Sequence, residues 1–355
     1  MVRLRRSDLC GLGLTRRRNG RGFRYVDTDG RRAVLDDATI ERIDRLRIPP
    51  AWTDVWICPW PNGHIQAIGT DARGRRQYLY HDDWRTRRDR EKFERITEFA
   101  RALPDARIRT AELLEQPGLT RERVLAAAVR LLDLGFFRVG SEEYAETNET
   151  FGLATIRRDH VGIAGGVITF DYTAKSGKHR VQSIGDPDVL AVVRQLKRRR
   201  GGGEELLAYR LPTGEWSDVK SAEINAAIRQ YLDGDFTAKD FRTWNATVLA
   251  SVALAVSEET AVSPTARKRA ISRAVKEVAD YLGNTPAVAR ASYIDPRVID
   301  LFSDGVTIAP ALELLGADVT FGQLATQGAI ESAVLQMLTG EASSAHIRSA
   351  RRAAS

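Results

Sequence analysis

Hydrophobic and polar positions change their period along this chain, and the changes mark its parts. Between residues 20 and 82 they alternate in short runs. "FRYVD" and "RRAVLD" flank Thr28-Asp29-Gly30, "TDVWICPW" and "HIQAIGTD" flank Asn62-Gly63, and "RRQYLYH" follows. Period-two runs punctuated by Gly, Asn and Asp predict strands joined by hairpins. This stretch therefore reads as a small, mostly antiparallel sheet with a short helix near 37–46. From Asp83 the pattern lengthens. "WRTRRDREKFERITEFARAL" is charged and helical, which puts a domain boundary near 83–92. "TRERVLAAAVRLLDLGFF" sets Val124, Ala128, Leu131, Leu132 and Gly135 at helical spacing and predicts a buried helix. Residues 153–185 return to strand-like text, with turn signals at Gly165-Gly166 and Ser176-Gly177. After residue 220 nearly everything reads as helix. No internal repeat is found.

The fold expected is α+β. An N-terminal β-rich domain covers 1–86, its first 20 residues an Arg-rich flexible basic arm. A mainly α-helical domain with a small β-sheet of its own covers 87–355.

Composition narrows the class. A chain of 355 residues, 43% hydrophobic, can bury a large core and has room for two domains. No run of 18 apolar residues exists, so no transmembrane helix is expected. The Arg-rich N-terminus lacks the apolar stretch of a secretory signal, and Asp8, Asp27 and Asp29 count against a transit peptide. Cys10 and Cys58 lie in no CxxC or Cys/His cluster, which argues against a disulfide framework or a zinc site and for a cytoplasmic protein. The net charge of +7 is unevenly spread. Residues 1–95 hold 22 Lys+Arg against 14 Asp+Glu, and the remainder 32 against 33. A polyanionic partner for the first quarter fits this, as does a soluble domain that is simply basic.

The absent motifs exclude several chemistries. "AKSGKH" has a Gly-Lys but no GxxxxGK[ST], so there is no P-loop and no sign of ATP. HExxH is missing, the five histidines are dispersed, and no compact DxD cluster occurs, so no metal is called for.

Phosphoryl transfer without a metal would need Arg, Lys and amide donors on the phosphate, a nucleophile, and a proton for the leaving oxygen. Candidates exist, each with a plain structural alternative. Arg138 follows two Phe at the end of a buried helix and needs a partner, either Glu142 or Glu143 or an anion. Lys175 stands at a strand tip, where a lysine is ordinarily just solvated. Arg242 opens an apolar-faced helix, and Asp240 or a helix cap would account for it. Tyr293 lies between Pro286 and Pro296 and could be a core aromatic with an anchored hydroxyl. "LKRRRGGGEE" at 196–205 reads as a solvated helix end beside the C-terminal dipole, with DNA contact the other reading.

Order, spacing and flanking words then agree with one family. "LRIPPAWTDVWICP", "GTDARGRRQYLYH", "FRVGSEEYAETNETFGLATI", "ITFDYTAKSGKHR", "TAKDFRTWNATVL" and "LGNTPAVARASYI" closely resemble the type IB DNA topoisomerases, in their poxvirus-like and bacterial branch. The likeness covers nearly all of the chain after the first thirty or so residues. Tyrosine recombinases share an Arg, Lys, Arg, Tyr order on a related fold and are the alternative. They lack the "GRRQYLY" domain and the "NETFGL" word, and the tail "SSAHIRSARRAAS" is too polar for a helix swapped between subunits.

The resemblance implies ATP- and metal-independent relaxation of supercoiled DNA through transient single-strand cleavage and a 3′-phosphotyrosyl intermediate, with no cofactor. Tyr293 matches the nucleophile, Arg138 and Arg242 the phosphate-gripping arginines, and Lys175 the general acid. Lys239 matches a further lysine near the site. Asn284 stands where many members have His. It can donate a hydrogen bond to phosphate but cannot titrate, so a DNA-binding protein without catalysis is a further reading. Asn284 or Thr285 could equally cap the helix that starts at Pro286. "GRRQYLY" matches a strand in the DNA major groove, making Arg75, Arg76, Gln77, Tyr78 and Tyr80 contact candidates. Alternation puts Arg76, Tyr78 and Tyr80 on one face and Arg75, Gln77 and Leu79 on the other. A monomer acting as a C-shaped clamp on duplex DNA, cytoplasmic and nucleoid-associated, completes the expectation.

Overall fold

Ser, Thr or Asp followed by Pro opens several helices of this chain, and the pairing has a physical cause. The first residue's oxygen accepts a free amide of the first turn, and proline at the next position has no amide to leave unpaired. A computed structural model describes residues 3–27, 30–31, 33–140, 142, 145, 149–315, 327–341 and 348–349. It divides into two compact units, residues 1–94 and 95–355.

The first unit is a five-stranded antiparallel sheet in the order β2-β1-β3-β4-β5, formed by β1 (Leu14–Asn19), β2 (Gly22–Val26), β3 (Thr53–Ile57), β4 (Ile65–Thr70) and β5 (Arg76–Tyr80). Helix α1 (Asp37–Arg45) is capped by Asp36, which accepts from the amide of Thr39. Its Ile43 joins Val55, Ile57 and Ala67 in the core, with Leu14, Trp52 and Leu79 packed around them.

Two expectations need correction here. The first 20 residues are not a free arm: Leu14–Asn19 is a strand flanked on both sides in the sheet. The inward position of this strand is Arg16, which hid the alternation. Its buried guanidinium donates to the carbonyls of Ile48 (3.0 Å), Pro49 (2.8 Å) and Trp52 (3.0 Å) and lies over the Phe23 ring. The partner of β2 is accordingly β1, across the Asn19–Gly22 turn. In the turn expected further on, Thr28 and Asp29 lie outside the described residues, and "RRAVLD" forms no strand where it is described.

Helix α2 (Asp82–Leu114) runs 33 residues, continues through Pro104 and contains the point of division between the units. In the second unit, α3 (Arg121–Leu134) is buried as its spacing predicts. A three-stranded antiparallel sheet follows, formed by β6 (Val161–Ala164), β7 (Val167–Ala174) and β8 (Lys178–Ile184). Next come α4 (Pro187–Arg198), a short β9–β10 ladder (Ala208–Arg210, Trp216–Asp218), α5 (Ser221–Leu232), α6 (Ala238–Val256), α7 (Pro264–Leu282), α8 (Pro286–Ser292) and α9 (Pro296–Ser303). The two-residue strands β11 (Val306–Thr307) and β12 (Arg348–Ser349) bracket α10 (Ala309–Leu315) and α11 (Ala329–Thr339). Asp186, Ser263, Thr285 and Asp295 are the caps before Pro187, Pro264, Pro286 and Pro296. No helix among the described residues is long and apolar enough to cross a membrane.

A buried ionic network ties this unit together. Arg107 on α2 holds Asp133 of α3 (2.8 Å) and Glu331 of α11 (2.6 Å), and Arg130 joins Asp133 (2.9 Å) to Asp186 (3.1 Å). Burial works against the charge of Arg107, but Asp133 and Glu331 hold its guanidinium well above the ordinary arginine value.

Candidate active site

Arg138 leaves α3 on an extended segment clasped by the chain just after it. The carbonyls of Arg138 and Val139 accept from the amides of Leu153 and Ala154, both at 2.8 Å. Behind them Gly140 and Gly152 cross backbone to backbone. A Cβ on Gly152 would sit 2.5 Å from the Cα of Gly140, so this crossing admits no side chain. Lys175 opens the turn between β7 and β8, where Ser176 and Gly177 take positive φ (69° and 71°). In the first turn of α6, a capping box between Thr237 and Asp240 fixes the helix start that carries Lys239 and Arg242.

Arg242 is 3% exposed. Its guanidinium donates to the carbonyls of Phe136 and Leu282 (2.9 Å for Leu282) and stands 5.2 Å from the centroid of the Tyr293 ring. Gly283 ends α7 in the left-handed conformation and turns the chain into Asn284, whose Oδ1 accepts from Arg138. Thr285, not Asn284, caps α8, accepting from the amide of Val288. Tyr293 is one residue past α8 rather than within it, with non-helical backbone angles (φ −133°, ψ −32°). It occupies a tight joint between α8 and α9.

Arg138, Lys175, the α6 pair Lys239 and Arg242, and Tyr293 thus come from four segments to line one cleft of about 290 Å³. A recess beside it shares Arg138, Lys175 and Arg242 and adds Lys178 and Arg180. Among the described residues no carboxylate lines either. Burial raises the Tyr293 phenol, but the charges of Arg242 and Arg138, with Lys239, overcome it and leave the phenol below the ordinary tyrosine value. Burial, helped by repulsion from Arg138, brings Arg242 down to about 10, so it stays charged at neutral pH. Asn284 Nδ2 and Arg242 Nε are buried donors with no hydrogen-bond partner among the described residues.

Glu142 is occupied elsewhere, accepting from the amide and hydroxyl of Ser221 (2.7 and 3.0 Å), and Glu143 lies outside the described residues. Asp240 pairs with Arg95 (2.8 Å) and its own helix cap, not with Arg242.

Two supporting residues escaped sequence reasoning. Arg180 on β8 donates to the carbonyls of Asp280 (2.8 Å) and Tyr281 (2.5 Å), tying the Lys175 hairpin to the end of α7. Thr247 on α6 is fully buried. Its one hydroxyl proton goes mainly to the Thr243 carbonyl (2.8 Å), with the Tyr293 carbonyl a longer, shared acceptor (3.3 Å), and its oxygen accepts from the amide of Asp295 (3.1 Å). It therefore holds the joint after Tyr293 chiefly through the Asp295 amide.

In the first unit, β5 sorts the other candidates as alternation predicted. Arg76, Tyr78 and Tyr80 lie on the exposed face, the two rings stacked with centroids 6.2 Å apart. Gln77 and Arg75 are instead tethered to Asp71, at 2.9 and 2.7 Å.

Comparison with known proteins follows the same division. Residues 81–301 match the family model of the eukaryotic DNA topoisomerase I catalytic core. The chain belongs to the type IB DNA topoisomerases. Residues 22–71 match the bacterial DNA topoisomerase IB N-terminal domain, which places this family member in the poxvirus-like and bacterial branch. It is similar to DNA topoisomerase 1B of Acanthamoeba polyphaga mimivirus, 33% identical over 300 residues, 82% of this chain and 88% of the relative. DNA topoisomerase 1B of vaccinia virus (strain Copenhagen) is 22% identical over 291 residues, covering 80% of this chain and 88% of the relative. As a topoisomerase the chain is an isomerase, and the recombinase alternative is not favoured.

Proposed function

We propose that this topoisomerase relaxes supercoiled duplex DNA with Tyr293 as its nucleophile. The Tyr293 oxygen forms a bond to a backbone phosphorus, the bond to the 5′ oxygen breaks, and a 3′-phosphotyrosyl link and a 5′-hydroxyl result. The phenol gives its proton to solvent as it attacks, and the departing 5′ oxygen gains one from Lys175, which is reprotonated from solvent. Arg138 and Arg242 hold the non-bridging oxygens, a task suited to planar guanidinium groups that keep their charge. Asn284 adds a neutral amide donor, and Lys239 adds positive charge at the rim. The freed end swivels, and the 5′-hydroxyl reverses the reaction. The energy of the cut bond is kept in the phosphotyrosyl link, so neither ATP nor a metal is required.

One observation carries this reading: four cations and a phenol of lowered pKa share a cleft free of carboxylates among the described residues. Such a cleft is built for an anion with a nucleophile beside it. The reading extends to a monomer acting as a C-shaped clamp, with Arg76, Tyr78 and Tyr80 touching DNA, in the cytoplasm on the nucleoid. Relaxation of a supercoiled plasmid in EDTA without ATP is the test. Relaxation by a species that sediments as one chain per duplex supports the proposal. A requirement for magnesium or ATP, or binding without relaxation, defeats it.

A further inference from the structure

The catalytic cleft leaves the "LKRRRGGG" motif unexplained. Residues 96–355 are nearly neutral overall, yet Arg194, Lys197, Arg198, Arg199 and Arg200 fall within seven positions at the end of α4. Two of the five have structural duties. Lys197 donates to the carbonyls of Arg158 (2.9 Å) and Val161, locking the helix end to β6. Arg199 is buried and donates to the carbonyls of Leu196 (3.2 Å) and Leu206 (2.8 Å). Arg199's bond to Leu196 and the charge of Lys197 in the last turn meet the demand of the helix C-terminus for positive charge.

Arg194 and Arg198 are surplus to that demand. They are exposed one turn apart on the same helix face, and no carboxylate among the described residues pairs with either. Neighbouring Arg157, by contrast, pairs with Glu204 at 3.1 Å. Both arginines border an open cleft of about 710 Å³ whose far wall is the β6–β7 turn at Gly165-Gly166. Both glycines have positive φ (55° and 82°), and nothing lies within 4 Å of where a Cβ would stand. A bulky anion can therefore approach bare backbone on one side and two guanidinium groups on the other. Backbone phosphates of duplex DNA have that size and charge.

We propose that Arg194 and Arg198, facing the Gly165-Gly166 turn, form an accessory contact for the phosphates of duplex DNA that adds affinity without touching the chemistry. The inference rests on the proposed action on DNA. Its position makes it separate from the cleavage cleft. Lys175 follows the last residue of β7 and Gly166 precedes the first, and eight residues span roughly 26 Å at about 3.3 Å each. Phosphates about eight base pairs from the cut, or a second duplex, would reach the site.

The experiment compares Arg194→Ala/Arg198→Ala with wild type and with Arg269→Ala/Arg273→Ala, which removes the same charge from an exposed pair on α7. Binding to a duplex of about 30 base pairs is measured across salt concentrations. Two lost phosphate contacts should lower the slope of log K against log salt by about 1.8. Single-turnover cleavage at saturating DNA should be unchanged, and Arg194→Lys/Arg198→Lys should restore the slope. A duplex with about 6 base pairs on each side of the cut separates the sources. A loss confined to the long duplex assigns the same molecule, and loss of a second binding equivalent assigns another. A slope equal to wild type, or an equal fall in the α7 control, overturns the inference while leaving the proposed function intact. Failure of the wild type to bind duplex DNA would strike the proposed function itself.

Discussion

Replacing Thr247 by valine removes one buried oxygen from beneath the Tyr293 joint and keeps the side chain's shape. That oxygen accepts the amide of Asp295 at 3.1 Å, and its proton, given mainly to the Thr243 carbonyl at 2.8 Å, is shared with the carbonyl of Tyr293 at 3.3 Å, where Thr247, Ile294 and Asp295 are all fully buried. In Thr247→Val the Asp295 amide has no partner, a loss of about 1–3 kcal/mol, and the longer carbonyl bond adds a smaller amount. A total of about 2–4 kcal/mol should lower the Tm by roughly 5–10 °C. The effect on chemistry should be larger than the effect on folding. The joint aims the phenol, and a misplacement of about 1 Å costs on the order of 100-fold in rate. Circular-dichroism melting gives the first quantity and single-turnover cleavage of a duplex at a temperature where both proteins are folded gives the second. Thr247→Ser, which keeps the hydroxyl, should recover most of both. A valine variant that cleaves at the wild-type rate would refute the view that this hydroxyl positions Tyr293.

Other expectations follow from the same geometry. Because the Tyr293 phenol lies below the usual value of about 10, the cleavage rate should rise with pH and level off before pH 10. The folded state then favours the phenolate, so this group's contribution to stability is complete above about pH 10 and lost as pH falls through the lowered pKa. Arg242→Ala removes the principal charge that opposes burial and should move the levelling to higher pH; an unmoved profile contradicts the coupling. Asp133→Ala leaves Arg107 with Glu331 alone and Arg130 with Asp186 alone, and should cost about 1–3 kcal/mol in a urea titration, whereas no loss of stability would mean the central carboxylate is dispensable. Gly152→Ala drives a Cβ to 2.5 Å from Gly140 and 2.9 Å from the Arg138 carbonyl. It should destabilise by about 1–3 kcal/mol and slow cleavage beyond that, and normal cleavage would show that the crossing does not hold Arg138.

Much of the candidate site was legible because its residues sit in distinctive local words. Arg138 after "GFF", Lys175 before "SGK", Arg242 in "KDFRTW" and Tyr293 before "IDP" could each be singled out, and the structure brings them together. Alternation placed Arg76, Tyr78 and Tyr80 on one face correctly because period two is a backbone property that tertiary context did not disturb. The misses have a common cause. Arg16, Arg180 and Thr247 act through backbone carbonyls and amides, which every residue carries, so their partners leave no mark in the sequence. Strand β1 was missed because an arginine held by three carbonyls occupies the place of a core hydrophobe. Helix α8 ends one residue before Tyr293 although Ser292-Tyr293 contains no helix breaker, and the next helix starts at Pro296 behind its Asp295 cap.

The central claim is that the Tyr293 oxygen, and no other, becomes bonded to DNA. The most direct measurement is to trap the covalent complex on a nicked duplex that cannot reseal, digest the protein and map the modified residue by mass spectrometry. A 3′-phosphate on Tyr293, lost in a folded Tyr293→Phe variant that still binds DNA, is the expected result. An adduct on another residue, or one that persists in the phenylalanine variant, would contradict it.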